Sequence, residues 1–243
     1  MTEPWYERAF GSHYPAIYAH RNDEEAAALA KTLANAVPLP GADVLDVACG
    51  GGRHMAAIGR QGARTFGLDL SLALLRTVPE TGRVARGDMR SLPFRSGTFD
   101  GACNLFTSFG YFPTRTENDS VLREVRRVLK PDGWFLFDYL NEAPTLAGLV
   151  PRSERTLGQY HLDECRSYDR DTRILRKTVV LTSPGEKDPL EWAEELLLYS
   201  PEELREAAAG AGFRERTIWG GYDGNAFDVN ESDRVVLLLE PAS

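Results

Sequence analysis

The run VLDVACGGG, Val44 to Gly52, ends a hydrophobic strand-like segment in an acid and three consecutive glycines. It constrains the fold more than any other stretch. A strand that passes through glycines into a helix-like segment, RHMAAIGRQG, is the opening unit of an α/β sheet. The alternation continues through RTFGLD, the helix-like SLALLRTV, RVARGD, the strand FDGACNLF, an amphipathic helix over Asp119–Leu129 and the buried strand WFLFDYL. Strands alternating with helices pair in parallel through right-handed crossovers. Two further strands, near Phe213–Trp219 and Arg234–Glu240, complete a doubly wound, seven-stranded, mostly parallel sheet.

Between the fifth strand and the helix SPEELREAAAGAGF the pattern changes. YHLDECRSYD, RILRKTVVLTS and LEWAEELLLYS read as three strands joined by the polar turns DRDT and PGEKD. They predict a small antiparallel insertion over about residues 154–200. At the other end, Trp5, Tyr6, Phe10, Tyr14 and Tyr18 predict an aromatic lid over residues 1–22, before a helix from about Asp23 to Val37. A chain of 243 residues accommodates all of this as one domain, residues 1–243.

Lys and Arg number 28 against 36 Asp and Glu, a formal charge of −8, which argues against a DNA-binding surface and favours a small acceptor. No stretch approaches the roughly 20 apolar residues of a membrane span. The amino terminus lacks the apolar core of a signal peptide, so a cytoplasmic location is expected. Cys49, Cys103 and Cys165 are scattered, with neither CxxC nor a Cys/His cluster, and no metal site is expected.

The glycines of the turn permit a ligand to lie against bare backbone. From Gly50 the sequence reads GGGRHM, so Met55 stands where a dinucleotide fold carries its third glycine, and no phosphate loop of the GxxxxGK[ST] type is present. Asp46, inside the strand end, suits a cationic ligand better than a diphosphate. Asp69 lies 23 residues on, near the offset of about 20 at which a second-strand acid meets ribose hydroxyls. Asp88 follows the third strand.

These segments, VLDVACGGGRH, GLDLS (Gly67–Ser71), GDMRSLPF (Gly87–Phe94), FDGACNLFTSFGYF (Phe99–Phe112) and REVRRVLKPDGWFLFD (Arg123–Asp138), resemble in order the motifs of the small, single-domain class I S-adenosylmethionine-dependent methyltransferases. The resemblance implies that fold, that cofactor and that activity. By it, Asp46 and the turn from Ala48 through Cys49 and Gly50 to Gly52 hold the methionyl part, Asp69 binds the ribose and Leu70 lies against adenine. Asp88 accepts from the adenine amine beside Met89, and Asn104 and Leu105 line the methionyl amine. Ala48 departs from the family's usual glycine and narrows the turn.

In-line transfer from a sulfonium is mainly proximity catalysis, and a base is needed only for a protonated nucleophile. Tyr111 and Asp138 are the candidate catalytic groups, and Tyr14, Tyr18, Thr107 and Phe109 the candidate acceptor contacts, with Phe112 as a further roofing aromatic. His54 opens the helix after the glycines, which suits a structural or cofactor-side place better than that of a base. Arg123, Arg126, Arg127 and Lys130 read as a solvated face at a helix end. NLFT lacks the two prolines of enzymes that methylate flipped bases. The expected reaction is methylation of an O, N or C nucleophile on a small molecule. The alternatives are a tRNA or protein methyltransferase, and a non-catalytic relative that only binds the cofactor.

Overall fold

A computed structural model describes residues 17, 23–79, 82–184 and 188–242. The predicted lid lies almost wholly outside the described residues. In chain order the helices are α1 (Asp23–Ala36), α2 (Arg53–Arg60), α3 (Leu72–Leu75), α4 (Arg115–Val128), α5 (Glu142–Ala147) and α6 (Pro201–Gly210). The strands are β1 (Asp43–Val47), β2 (Arg64–Asp69), β3 (Arg83–Arg86), β4 (Phe99–Asn104), β5 (Leu129–Leu140), β6 (Arg152–Leu157), β7 (Tyr160–Asp169), β8 (Ile174–Thr182), β9 (Leu190–Leu197), β10 (Phe213–Trp219) and β11 (Arg234–Pro241).

Seven strands form one sheet in the order β10-β11-β5-β4-β1-β2-β3. β1 to β5 run parallel, and β11 pairs antiparallel with β5 and β10. Strand side chains alternate between two cores. On β5 and β11, Leu136, Val236 and Leu238 face the helices α1 and α2, while Phe135, Phe137, Val235 and Leu237 face α4 and α6. That alternation is what a sheet covered on both faces requires. α1 buries Ala26, Leu29, Ala30 and Leu33, an i, i+3, i+4, i+7 stripe.

α6 starts as its sequence dictates: Ser200 and Glu203 form a capping box, with proline in the first turn. α4 begins earlier than expected, at Arg115, because Thr114 accepts the backbone N–H of Glu117 and caps it. It ends at Val128, so Lys130 lies on β5 and pairs with Asp100. Arg126 and Arg127 donate to backbone carbonyls of Gly212, Leu92 and Phe94, which fixes them as structural contacts.

The insertion has four antiparallel strands in the order β6-β7-β8-β9. The unforeseen strand is β6, where the charge-rich RSERTL masks the alternation. On the same face as Leu162, the buried Glu164 ion-pairs with Arg155, Arg166 and Lys177. Leu196, Tyr168 and Leu175 join the main core, and Tyr139 donates to the Leu197 carbonyl at 2.8 Å, seating this sheet on the larger one.

Candidate active site

The sheet order reverses beside β1, between β2 and β4, and ligands of such sheets sit beyond the carboxyl ends of the strands at that point. A cavity of about 270 Å³ opens there. Its floor is the turn after β1, where Ala48 (φ 60°), Gly50 (φ 54°) and Gly52 (φ 79°) all adopt left-handed backbone. At Ala48 this costs roughly 1–2 kcal/mol. Met55 succeeds where a dinucleotide fold has glycine because the room comes from the opposite side: a Cβ on Gly67 of β2 would stand 2.5 Å from the Met55 sulfur and 2.6 Å from that of Cys49.

Asp69 closes the turn. Its Oδ2 accepts the Gly50 N–H at 2.8 Å and its Oδ1 the Ser71 N–H at 2.8 Å, so β2 and the glycine turn share one carboxylate. Burial raises its pKa against the pull of these donors. Asp46 is 4% exposed, and its Oδ2 has no hydrogen-bond partner among the described residues. Burial, with the Asp69 charge adding to it and Arg53 opposing, pushes its carboxyl up to about 8. A buried carboxylate oxygen without a partner is costly unless a ligand supplies one.

Asp88 is held by Arg90, whose Nε lies 3.1 Å from both carboxylate oxygens and whose Nη2 lies 2.6 Å from Oδ2. Burial would raise the Asp88 pKa, but Arg90 outweighs it and keeps the group below the usual carboxylate range. Arg90 also reaches Glu117 and lies over the Phe112 ring, 4.2 Å from its centroid.

The cavity gathers Asp46, Ala48, Cys49, Gly50, Asp69, Leu70, Asp88, Met89, Leu105 and Tyr111. Five expected residues do not line it. Gly52 instead caps α2. Asn104 donates Nδ2 to the Val47 carbonyl at 3.1 Å, tying β4 to β1. Phe109 is buried against Phe137, Tyr139 and Tyr199, so it is core and not roof. Thr107 accepts from Arg234. Asp138 is fully buried and committed to Arg234, Tyr222 and the Phe106 N–H, which removes it from the place of a catalytic group at the mouth. Tyr14 and Tyr18 lie outside the described residues.

Several cavity residues escape sequence reasoning: Arg53, Phe106, Ser108, Leu74 and Thr77. Arg53 stands beside the glycines and has a readable signal in its charge. Arg234 and Tyr222, which shape the loop after β4, come from β11 and its approach and are placed only by the sheet order. His54 does line the cavity, 6% exposed, and its Nε2 has no partner among the described residues. Burial, then the positive charges of Arg53 and Arg234, pushes its imidazole down to about 3.

A family profile described as a methyltransferase domain matches residues 45–137. The chain is 28% identical over 228 residues to dTDP-4-amino-2,3,4,6-tetradeoxy-D-glucose N,N-dimethyltransferase of Saccharopolyspora spinosa, covering 89% of this chain and 90% of that one. It is 40% identical over 103 residues to demethylmenaquinone methyltransferase of Corynebacterium kroppenstedtii, about two-fifths of either chain. Among solved structures, the CcbJ methyltransferase of Streptomyces caelestis superposes with a TM-score of 0.81 at 19% identity, covering 98% of this chain and 99% of that one.

Proposed function

Since this chain belongs to the class I S-adenosylmethionine-dependent methyltransferases, we propose that it methylates an amine on a small polar molecule. The residues present fit the cofactor: the partnerless Asp46 oxygen suits a cation, and the cavity runs from Asp46 past Asp69 to Asp88, one acid at each of three successive strand ends. When bound, S-adenosylmethionine supplies a methyl group already activated by its sulfonium. The protein's own work is to orient the acceptor and keep water out.

One observation favours nitrogen over oxygen. Neither Asp138 nor His54 is fitted to take a proton from an acceptor. Asp138 is buried and saturated with donors, and the His54 imidazole, at about 3, is a weak base near neutral pH. A hydroxyl acceptor needs its proton taken as it reacts. An amine reaches the methyl as its neutral form, drawn from bulk solution, and sheds its extra proton afterwards. The aminosugar specificity named for the S. spinosa relative supports the same reading.

The test is a product screen. Isotopically methyl-labelled cofactor would be incubated with paired amino and hydroxy forms of the same small molecules, nucleoside-diphosphate aminosugars among them, and labelled products identified by mass spectrometry. Label on the amino member of a pair alone supports the proposal. Label on a hydroxyl or carbon with the amines untouched overturns it.

A further inference from the structure

The four-stranded sheet turns one face toward the main sheet, and that face is layered along its strands. Residues directly opposed on neighbouring strands share a face, so Tyr168, Leu175 and Leu196 make one rung, and it joins the main core. Farther along the same face, Leu162, Val179, Leu181 and Trp192 close around Ile17 as a separate apolar cluster. Between the two runs a charged belt. Arg166, Lys177 and Glu194 stand opposite one another, and Glu164 beside them is buried. The Glu164 carboxylate pairs with Arg166 at 2.7 Å, Lys177 at 3.0 Å and Arg155 at 3.3 Å. Drawing such charges partly out of water is costly, and apolar side chains like those on either side often seat a surface equally well. Holding the insertion in place does not by itself account for the belt.

We infer that this belt is an anion site for the methyl acceptor, in which Arg166 and Lys177 hold a phosphate or carboxylate group carried by the amine. The inference rests on the small-molecule amine reading above and adds a second, acidic end to that molecule. Position supports it. The Leu197 N–H donates to the Gly110 carbonyl at 2.8 Å, and a Cβ on Gly110 would stand 3.0 Å from Leu196 Cδ1, so the Leu196 rung abuts the loop after β4. Gly110 precedes Tyr111, which lines the cavity. The belt is the next rung on the same face, about 7 Å farther along the strands.

Charge supports it as well. Arg155, Arg166 and Lys177 outnumber Glu164 and Glu194 within a chain of formal charge −8, whereas the cavity presents Asp46, Asp69 and Asp88. These opposite fields orient a molecule that is cationic at one end and anionic at the other, with its amine toward the cavity. Arg166 has donors to give. Its side chain is 24% exposed, and it commits one N–H to Ser153 Oγ at 2.9 Å and one to Glu164 Oε2 at 2.7 Å. A guanidinium carries five. Burial opposes ionisation of Glu164, but the Lys177, Arg166 and Arg155 charges outweigh it and bring the carboxyl down to about 2, so the belt keeps its charges near neutral pH.

Calorimetric titration with inorganic pyrophosphate and with malonate, each on protein saturated with S-adenosyl-L-homocysteine, tests the site before the acceptor is known. Tighter binding of pyrophosphate points to a phosphate on the acceptor, and tighter binding of malonate to a carboxylate. Arg166→Gln and Lys177→Met should each weaken the preferred anion by about tenfold or more while S-adenosyl-L-homocysteine affinity stays within about twofold. Arg166→Lys, which keeps the charge beside Glu164, should recover part of the loss. For any amine that takes label in the product screen, the same anion should inhibit methylation competitively against the amine. The inference is overturned if neither anion binds, if both variants keep wild-type anion affinity, or if inhibition is not competitive. It also fails if Arg166→Gln loses S-adenosyl-L-homocysteine and the anion in parallel, since Arg166 would then only support the fold. A product screen that labels no amine defeats the amine reading instead, whatever the anion titrations show.

Discussion

Asp138, at the end of β5, accepts the backbone N–H of Phe106 at 2.6 Å, and that single bond fixes the loop after β4 to the next strand of the sheet. The same carboxylate takes Arg234 Nε and the Tyr222 hydroxyl, each at 2.5 Å. Arg234 reaches on to the Thr107 hydroxyl at 2.8 Å. Phe106 and Thr107 both hold φ of 59°, a conformation that costs L residues free energy and survives only where neighbours enforce it. The fully buried acid is the enforcer, and Leu105, Phe106 and Ser108 reach the cavity because of it.

Removing one member of a buried ion pair leaves the other charge unpaired, at a cost of about 3–5 kcal/mol. Asp138→Ala should therefore lower unfolding stability by that order in urea titrations. Combining it with Arg234→Met, which removes the stranded charge, should recover at least half of the loss. If the double variant is no more stable than the single one, the pair is not the source of the effect.

Gly50 has φ of 54°, and a Cβ there would meet only Leu74 Cδ1, at 3.8 Å. Sterically the site tolerates the added carbon, so the penalty falls on the backbone, about 1–2 kcal/mol, and on the cavity it lines. Gly50→Val is expected to remain folded with a modestly lowered Tm and to lose cofactor binding by calorimetry. Full binding by this variant would place the cofactor away from the glycine turn.

Asp69 serves two ends at once, since its carboxylate anchors the Gly50 and Ser71 amides and lines the cavity where the ribose is assigned. Asp69→Ala should weaken S-adenosylmethionine at least tenfold, about 1.4 kcal/mol. Affinity within twofold of the wild type would remove the ribose assignment.

The sheet and the outline of the cofactor cavity are legible in the sequence for a physical reason: they follow from local patterns. A fully buried parallel strand such as WFLFDYL announces itself, and the acids Asp46, Asp69 and Asp88 mark successive strand ends by position alone. What is not legible depends on partners distant in the chain. Asp138 reads as an acid at the mouth, yet Arg234, 96 residues later, neutralises it. Phe109 reads as a roof because a strand-end aromatic gives no sign of which side it turns to; Tyr199 of the far segment completes its core. β6 stays hidden because five of its six residues, RSERT, are polar or charged, and only its pairing with β7 makes it a strand.

Asp46 makes the last prediction, which concerns pH. Its carboxyl is raised from 3.8 to about 8, chiefly by burial. A raised carboxyl means the folded, ligand-free protein holds a proton that the unfolded chain gives up near pH 4. This group's contribution to stability is therefore fully present below about pH 4 and is lost as pH rises through about 8. Binding of a cation runs the other way, because a positive charge beside Asp46 prefers the ionised acid and its arrival expels the proton. Between about pH 5.5 and 7.5, affinity for S-adenosylmethionine should rise by up to tenfold per pH unit, with proton release visible as a dependence of the binding enthalpy on buffer ionisation. Asp46→Asn should bind more weakly and flatten most of that slope, and an unchanged slope in this variant would assign the released proton to another group.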